Sequence, residues 1–335
     1  MKFGVFDHLD AGTVPLGQLY ENRLQLIEAY DRSGIYGYHL AEHHSTPLGM
    51  AASPGIFLSA IAQRTKTIKF GPLVYLLPFY HPIRLIEEVA MLDQMSGGRF
   101  QLGVGRGVSP FETSFYGLDF QETQGIYHEA FQLLMKGLTS EELTFEGKHY
   151  TFKDVPMLLR PVQKPHPPLW YGLNLPQNAA WPAANDVNVV IIGLRPVIKD
   201  CVDAYLAERK KLGKTGAVPH IGISKHVVVA DTDQEAMRLA RRAYLGWRES
   251  FIWLFKRFNS QPRIIGVLPP TFDELMAIGN GVAGSPTTVR NWIADEVAAT
   301  GINYFCPWLA FGDLTVAESL RSLELFSREV MPAFD

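Results

Sequence analysis

Eight times along these 335 residues a short apolar run ending in polar residues is followed by a stretch with helical spacing, and that alternation leaves few architectures open. FGVFDH (Phe3 to His8) opens the series, and Leu16, Tyr20, Leu24 and Ile27 then recur as one face of a helix that Gly34 and Gly37 end. YHLAEHH, IKFGPLVY and RFQLGVG follow as strands two to four, separated by helical stretches from about Ser53 to Arg64 and from Ile83 to Met95. After a helix from about Thr123 to Leu138, LWYGL, Asn188 to Ile192 and Ile223 to Ala230 read as strands five to seven, with helices at Gln177 to Ala184 and Pro196 to Leu212 between them. Ser285 before Pro286 has the form of an N-cap with proline at the first helical position, starting a helix to about Ala299. NYFCPWL is the eighth strand, and a last helix carries Val316, Leu320, Leu323 and Val330 on one face.

Eight such units close a (β/α)8 TIM barrel of class α/β. An open doubly wound sheet would use fewer strands and carry a glycine-rich turn after strand one, where this chain has Asp10, Ala11 and Gly12 without the full spacing. One decorated barrel domain is expected over Met1 to Asp335. Its insertions are a surface hairpin between Leu143 and Phe152, where TFEGKHYTF alternates about Glu146, Gly147 and Lys148, and a helical and irregular insertion from Asp231 to about Gly284.

Composition narrows the function. With 47% hydrophobic and 19% charged residues the chain can bury a large core, and its formal charge of −3 comes from acids and bases mixed along its length. No basic block would track nucleic acid, and no apolar run reaches the length of a membrane span or signal peptide, so a cytoplasmic protein is expected. Cys201 and Cys306 lack metal-ligand spacing and read as buried reduced thiols.

In such a barrel the chemistry sits at the strand ends. Strand two ends Glu42-His43-His44, strand three runs into Pro78, Tyr80 and His81, and strand four ends in Gly103, Gly105, Arg106 and Gly107. Successive side chains on a strand point to opposite faces, so adjacent His43 and His44 cannot share one coordination sphere while the strand continues, which weakens a metal reading. One imidazole acting as acid or base is the alternative, beside a histidine merely hydrogen-bonded at the barrel rim. Gly103-Val-Gly-Arg-Gly107 lacks the dinucleotide spacing, but glycine at a strand end admits a flat ligand and Arg106 offers donors to phosphate or simply to solvent. Gly71-Pro72-Leu73-Val74 interrupts strand three. Trp247, Phe251, Trp253, Phe255 and Phe258 have near-helical spacing and read as core packing before a substrate cage.

The segments AEHH, RTKTIKFG, HPIRLIEEVAMLDQMSGGRFQLGVGRG and LFSREVMP together resemble the bacterial luciferase-like flavin-dependent monooxygenases. The resemblance implies a homodimer formed through helices near strands two and three. It also implies binding of reduced FMN supplied by a separate flavin reductase, and use of O2 to oxidise a small organic substrate. By position, His43 matches the family's catalytic histidine, Glu42 its neighbour in the flavin pocket and Glu112 an acidic group near the ring. Leu73-Val74 matches a non-prolyl cis peptide beneath the flavin, and Arg106 a phosphate ligand.

Gly105 stands where luciferase has a reactive cysteine, which should leave room over the flavin; light emission from a long-chain aldehyde does not follow. A second phosphate arginine falls on Gln124, and the hydroxyl-rich phosphate loop aligns with Asn174-Leu175-Pro176-Gln177-Asn178, which has fewer hydroxyl donors. The readings held beside the monooxygenase are hydride transfer with the deazaflavin F420, flavin binding without turnover, and a barrel metal hydrolase. Variable segments, Asp231 to Gly284 and Phe111 to Tyr116, are expected to wall an apolar substrate pocket.

Overall fold

The computed structural model describes residues 1–261 and 268–335. Strand β1 (Lys2–Asp7) leads to α1 (Leu16–Arg32), β2 (Gly37–Leu40) to α2 (Pro54–Arg64), and β3 (Lys69–Pro72) continues as β4 (Tyr75–Leu76) before α3 (Pro82–Ser96). After β5 (Leu102–Gly105) come the short α4 (Pro110–Phe115) and the long α5 (Thr123–Thr139). The hairpin β6 (Glu142–Glu146) and β7 (Thr151–Pro156) follows as an antiparallel pair apart from the main sheet. The second half runs β8 (Leu169–Leu173), α6 (Ala180–Ala184), β9 (Asn188–Ile191), α7 (Arg195–Lys211), β10 (Ile221–Val229) and α8 (Asp233–Arg257). Then come α9 (Phe272–Ala277), β11 (Gly281–Gly284), α10 (Pro286–Thr300), β12 (Tyr304–Trp308) and α11 (Val316–Leu325).

The ring closes through an interrupted strand. The Leu73-Val74 peptide bond between β3 and β4 is cis. β3 pairs with β2, while β4 pairs with β5, Tyr75 opposite Val104. From β5 the parallel ladder passes through β8, β9, β10 and β12 back to β1, where Lys2 lies opposite Tyr304. This is the expected (β/α)8 barrel.

Side-chain alternation sorts the barrel into two layers. Phe6, Ala41, Leu73, Trp170, Val190, Tyr304 and Cys306 pack inside it. Their strand neighbours Val5, Leu40, Val189, Ile223 and Phe305 pack outward against the helices. Burial on both faces is why these strands read as continuous apolar runs. Tyr304 spans the barrel floor because β1 and β10 bring glycine to it: a Cβ at Gly4 would lie 1.8 Å from the tyrosine oxygen and one at Gly222 2.7 Å from its Cδ1. His39 Nε2 lies 2.7 Å from that hydroxyl. Both cysteines are buried and free.

Three expectations need correction. The buried face of α1 is Leu19, Arg23, Leu26, Ile27 and Tyr30, and Leu16 is exposed. The helix turns that way because buried Arg23 pairs with Asp7 at 3.2 Å and donates to the Ala310 carbonyl at 3.1 Å. On α11, Leu320 is exposed while Ser319 and Ser322 are buried, and Ser322 Oγ accepts the Val229 N–H at 2.9 Å. Small polar side chains let this helix approach the sheet, a signal that apolar periodicity overlooks. The segment from Asp231 to Gly284 is helical as expected, but it also contributes a strand to the sheet. It opens with 25 residues of α8, capped by Thr232, and ends in β11, which extends β10 in parallel with Val227 opposite Val282. Residues 262–267 of that expectation lie outside the described residues. Among the described residues no helix is long and apolar enough to cross a membrane.

Candidate active site

The geometry at the barrel mouth begins with a helix cap. Ser109 caps α4, its hydroxyl accepting the Glu112 N–H at 3.2 Å, and Pro110 follows at the first helical position. That cap fixes Glu112 in the first turn, against the loop that leaves β2. Glu112 Oε1 accepts from His43 Nδ1 at 3.1 Å and from the His44 backbone N–H at 2.9 Å. Burial alone would push the Glu112 carboxyl up, but the charge and hydrogen bond of His43 and the backbone donor outweigh it and hold the group below its ordinary range. With Nδ1 given to the carboxylate, Nε2 is the nitrogen His43 offers to a reacting group. The histidine side chain is 24% exposed and the glutamate 3%, so the pair presents a ring to the mouth and keeps its anion behind it.

Glu42 and His44 form a second pair on another side of the loop. His44 Nε2 donates to Glu42 Oε1 at 2.7 Å, and the Tyr116 hydroxyl donates to His44 Nδ1 at 2.8 Å. Glu42 Oε2 also accepts from the Leu76 N–H and the Tyr80 hydroxyl, at 3.1 and 3.0 Å. Burial raises the Glu42 carboxyl, offset in part by these donors. This geometry directs Glu42 to His44 and β4 rather than to His43. The two histidines do diverge, but strand alternation is not the reason, because β2 ends at Leu40. They part because each has its own carboxylate. Among the described residues no group of three histidine, cysteine, aspartate or glutamate side chains is placed to hold a metal.

Leu73 and Val74 meet the end of β5, but the expectation of free room at Gly105 is overturned: a Cβ there would come within 2.4 Å of Val74 Cγ2. The missing side chain makes space for valine. At Gly103 a Cβ would strike the Pro72 carbonyl oxygen at 2.0 Å, so β5 and the β3 end touch backbone to backbone. Open space lies across the mouth instead. Gly172, next inward after Trp170, would place a Cβ with nothing within 4 Å, and Ile192, next inward after Val190, is 55% exposed. Arg106 sits at the rim with its guanidinium over the Phe120 ring at 4.8 Å, close enough to Tyr171 to oppose the upward pull of burial on that phenol. Asn174 and Leu175 are exposed beyond β8, and Gln124 pairs with His128 at 2.7 Å.

A cluster of rings that the strand-end reading missed completes the mouth. His8 stacks on His43 at 5.5 Å, and its ring also meets Trp308 at 4.8 Å and Trp247 at 5.7 Å. His226 faces Trp308 at 3.9 Å and Trp247 at 4.4 Å. Burial, with repulsion from His43 and His226, holds His8 well below the ordinary histidine range; burial, with Lys225 nearby, does the same to His226. Both rings are therefore neutral at physiological pH. The signal was available: counting by twos along Tyr304, Cys306 and Trp308, or Gly222, Ser224 and His226, carries the inward face to these residues. Trp247 is buried, as its spacing suggested. Phe258 is instead exposed and stacks on Phe111 at 4.8 Å.

The family model described as luciferase-like monooxygenase matches residues 1–304. The chain is 26% identical over 351 residues to the oxygenase component of the flavin-dependent trigonelline monooxygenase of Acinetobacter baylyi, covering 100% of this chain and 96% of that protein. It is similar to the crystal structure of monooxygenase RslO1 from Streptomyces bottropensis, with a TM-score of 0.90 and 25% identity over 100% of both chains. It shares its fold with the oxygenating constituent of 3,6-diketocamphane monooxygenase from Pseudomonas putida, solved in complex with FMN. There the TM-score is 0.80 and the identity 23%, over 99% of this chain and 98% of the other.

Proposed function

Since the chain belongs to the luciferase-like monooxygenase family of oxygen-incorporating oxidoreductases, we propose that it is the oxygenase of a two-component system. It takes FMNH2 from a separate flavin reductase in the cytoplasm and uses O2 to oxidise a small, apolar organic substrate, working as one barrel domain over residues 1–335. The observation that carries this reading is the buried Glu112 carboxylate on His43 Nδ1, which leaves the partly exposed ring of the histidine at the barrel mouth.

The mouth fits a flavin. Its ring would lie against the Leu73-Val74 backbone, with Gly172 and Ile192 leaving the opposite side clear and Gly105 admitting Val74 as part of the bed. The phosphate would be met by Arg106, beside the Asn174 and Leu175 backbone. β5 and β8 are paired with Gly103 opposite Trp170, so these residues leave adjacent strands at one end of the barrel. A bound reduced flavin supplies the electrons that activate O2. The chain itself binds and orients, excludes water with its ring cluster, and holds or delivers a proton at His43 Nε2 while Glu112 fixes the tautomer. Glu42 anchors the loop that carries His43.

Exposed apolar side chains support the homodimer. Ile56 on α2 and Met91 and Met95 on α3 are exposed on two helices that pack together, and Leu158 beyond β7 is 86% exposed. The reading is tested by a reductase-coupled assay under 18O2 with a panel of apolar carbonyl compounds, followed by mass spectrometry. One labelled oxygen in a product formed only when FMNH2 is supplied is the expected result. An unlabelled product formed with reduced F420 would replace oxygen insertion with hydride transfer.

A further inference from the structure

Two nitrogens in the ring cluster beyond His43 are buried and have no hydrogen-bond partner among the described residues: His226 Nε2 and Trp247 Nε1. His226 is 2% exposed and Trp247 not at all. A buried donor left unmade forfeits the full cost of its desolvation, so such groups are ordinarily satisfied. The neighbouring indole shows the contrast, since Trp308 Nε1 donates to Ser224 Oγ. Trp247 and His226 sit side by side, their rings 4.4 Å apart and at 73°, and His8 bridges from Trp247 to the proposed catalytic His43. The cluster is nearly all aromatic.

We propose that this wall binds the organic substrate, and that the substrate is a neutral aromatic carbonyl compound whose oxygen accepts from Trp247 Nε1–H, with His226 Nε2 as a second donor in its N–H tautomer. The inference rests on the flavin monooxygenase reading for the place of the reacting centre and adds to it the substrate class. Aromatic rings favour a planar partner that stacks or meets them edge to face. The charge balance favours a neutral one. Lys225, next to His226 in sequence, spends its ammonium on the Gly193 carbonyl and Asn280 Oδ1, at 3.0 and 2.6 Å, and Glu112 is the carboxylate paired with His43. An anion would meet that carboxylate, and the Lys225 ammonium is already taken. Phe251, half-buried and stacked on Trp247 at 5.5 Å, covers that indole.

The test is calorimetric titration of the full chain with acetophenone, cyclohexyl methyl ketone and ethylbenzene, without flavin and with FMN. Acetophenone is expected to bind roughly tenfold tighter than either comparator, because only it carries both ring and acceptor. Trp247→Phe, which keeps the ring and removes the N–H, should lower its affinity to that of ethylbenzene, and His226→Leu should weaken it several-fold if the tryptophan variant does not fold. Phe251→Ala should retain or tighten it. Equal affinities for the three probes, or wild-type affinity in folded Trp247→Phe, would overturn the assignment. Binding needs no turnover, so the two readings fail separately. FMNH2 binding without the probe order sinks the substrate class alone, and the probe order without FMNH2 binding sinks the flavin reading alone.

Discussion

His43 carries the heaviest demand of any single residue. Its Nδ1 is held by Glu112 at 3.1 Å and its ring by the stack with His8, which leaves Nε2 to act. His43→Ala is therefore expected to cut turnover by about 10²–10⁴-fold while FMN affinity stays within a few-fold, measured by steady-state kinetics and flavin titration. Unchanged turnover would remove the role. Glu112→Gln keeps an oxygen for the His44 N–H but no charge for His43, and should lower kcat more than it raises KM. Its pH behaviour is specific. The folded Glu112 carboxyl lies below its unfolded value, so its contribution to stability is present above the ordinary carboxylate range and is lost as pH falls through the folded value. The melting-temperature advantage of the wild type over Glu112→Gln should accordingly disappear in acid, read by thermal melts across pH. At this scale the sequence, through its resemblance, placed His43 and Glu112 in one neighbourhood. It did not show Glu42 turned toward His44, because no spacing rule says which of three successive loop side chains a carboxylate will face. The inward direction of His8 and His226 was legible but overlooked, since it follows from strand alternation.

Among the elements, β10 is the most burdened. Its nine residues pair with β9, β12 and β11 in turn, send Ser224 and His226 inward, and put Lys225 into the outer layer. Burial lowers the Lys225 ammonium to about 8, partly offset by Glu296. Because the folded value lies below the unfolded one, the unfolded chain binds more protons between about pH 8 and the ordinary lysine range, and this group's penalty on folding eases as pH rises through that window. Lys225→Met should remove that dependence, so the wild type is expected to gain melting temperature relative to the variant between pH 8 and 10. A constant difference would contradict it. The element pattern was largely legible, since buried parallel strands announce themselves as apolar runs and Ser285-Pro286 marked its helix correctly. What escaped was β11, four small residues whose pairing depends on the C-terminal half of β10, and the true faces of α1 and α11, which Arg23 and the serines decide.

For the whole molecule, barrel closure through the Leu73-Val74 junction brings the ends of β2, β4, β5, β10 and β12 around one mouth, and both the proposed flavin bed and the ring wall depend on it. The exposed face of α2 and α3 lies outside this mouth and makes a separate prediction. Met91→Glu, alone or with Ile56→Glu, should shift the protein from dimer to monomer in sedimentation velocity with its barrel intact by circular dichroism; a monomeric wild type would dispose of the dimer. The central claim, that the mouth accepts reduced flavin, is tested most directly by anaerobic titration of the purified protein with FMNH2, with oxidised FMN and F420 as parallel ligands. Saturable binding of FMNH2 that is tighter than binding of either other ligand is the predicted result, and binding of F420 alone, or of none of the three, would contradict it.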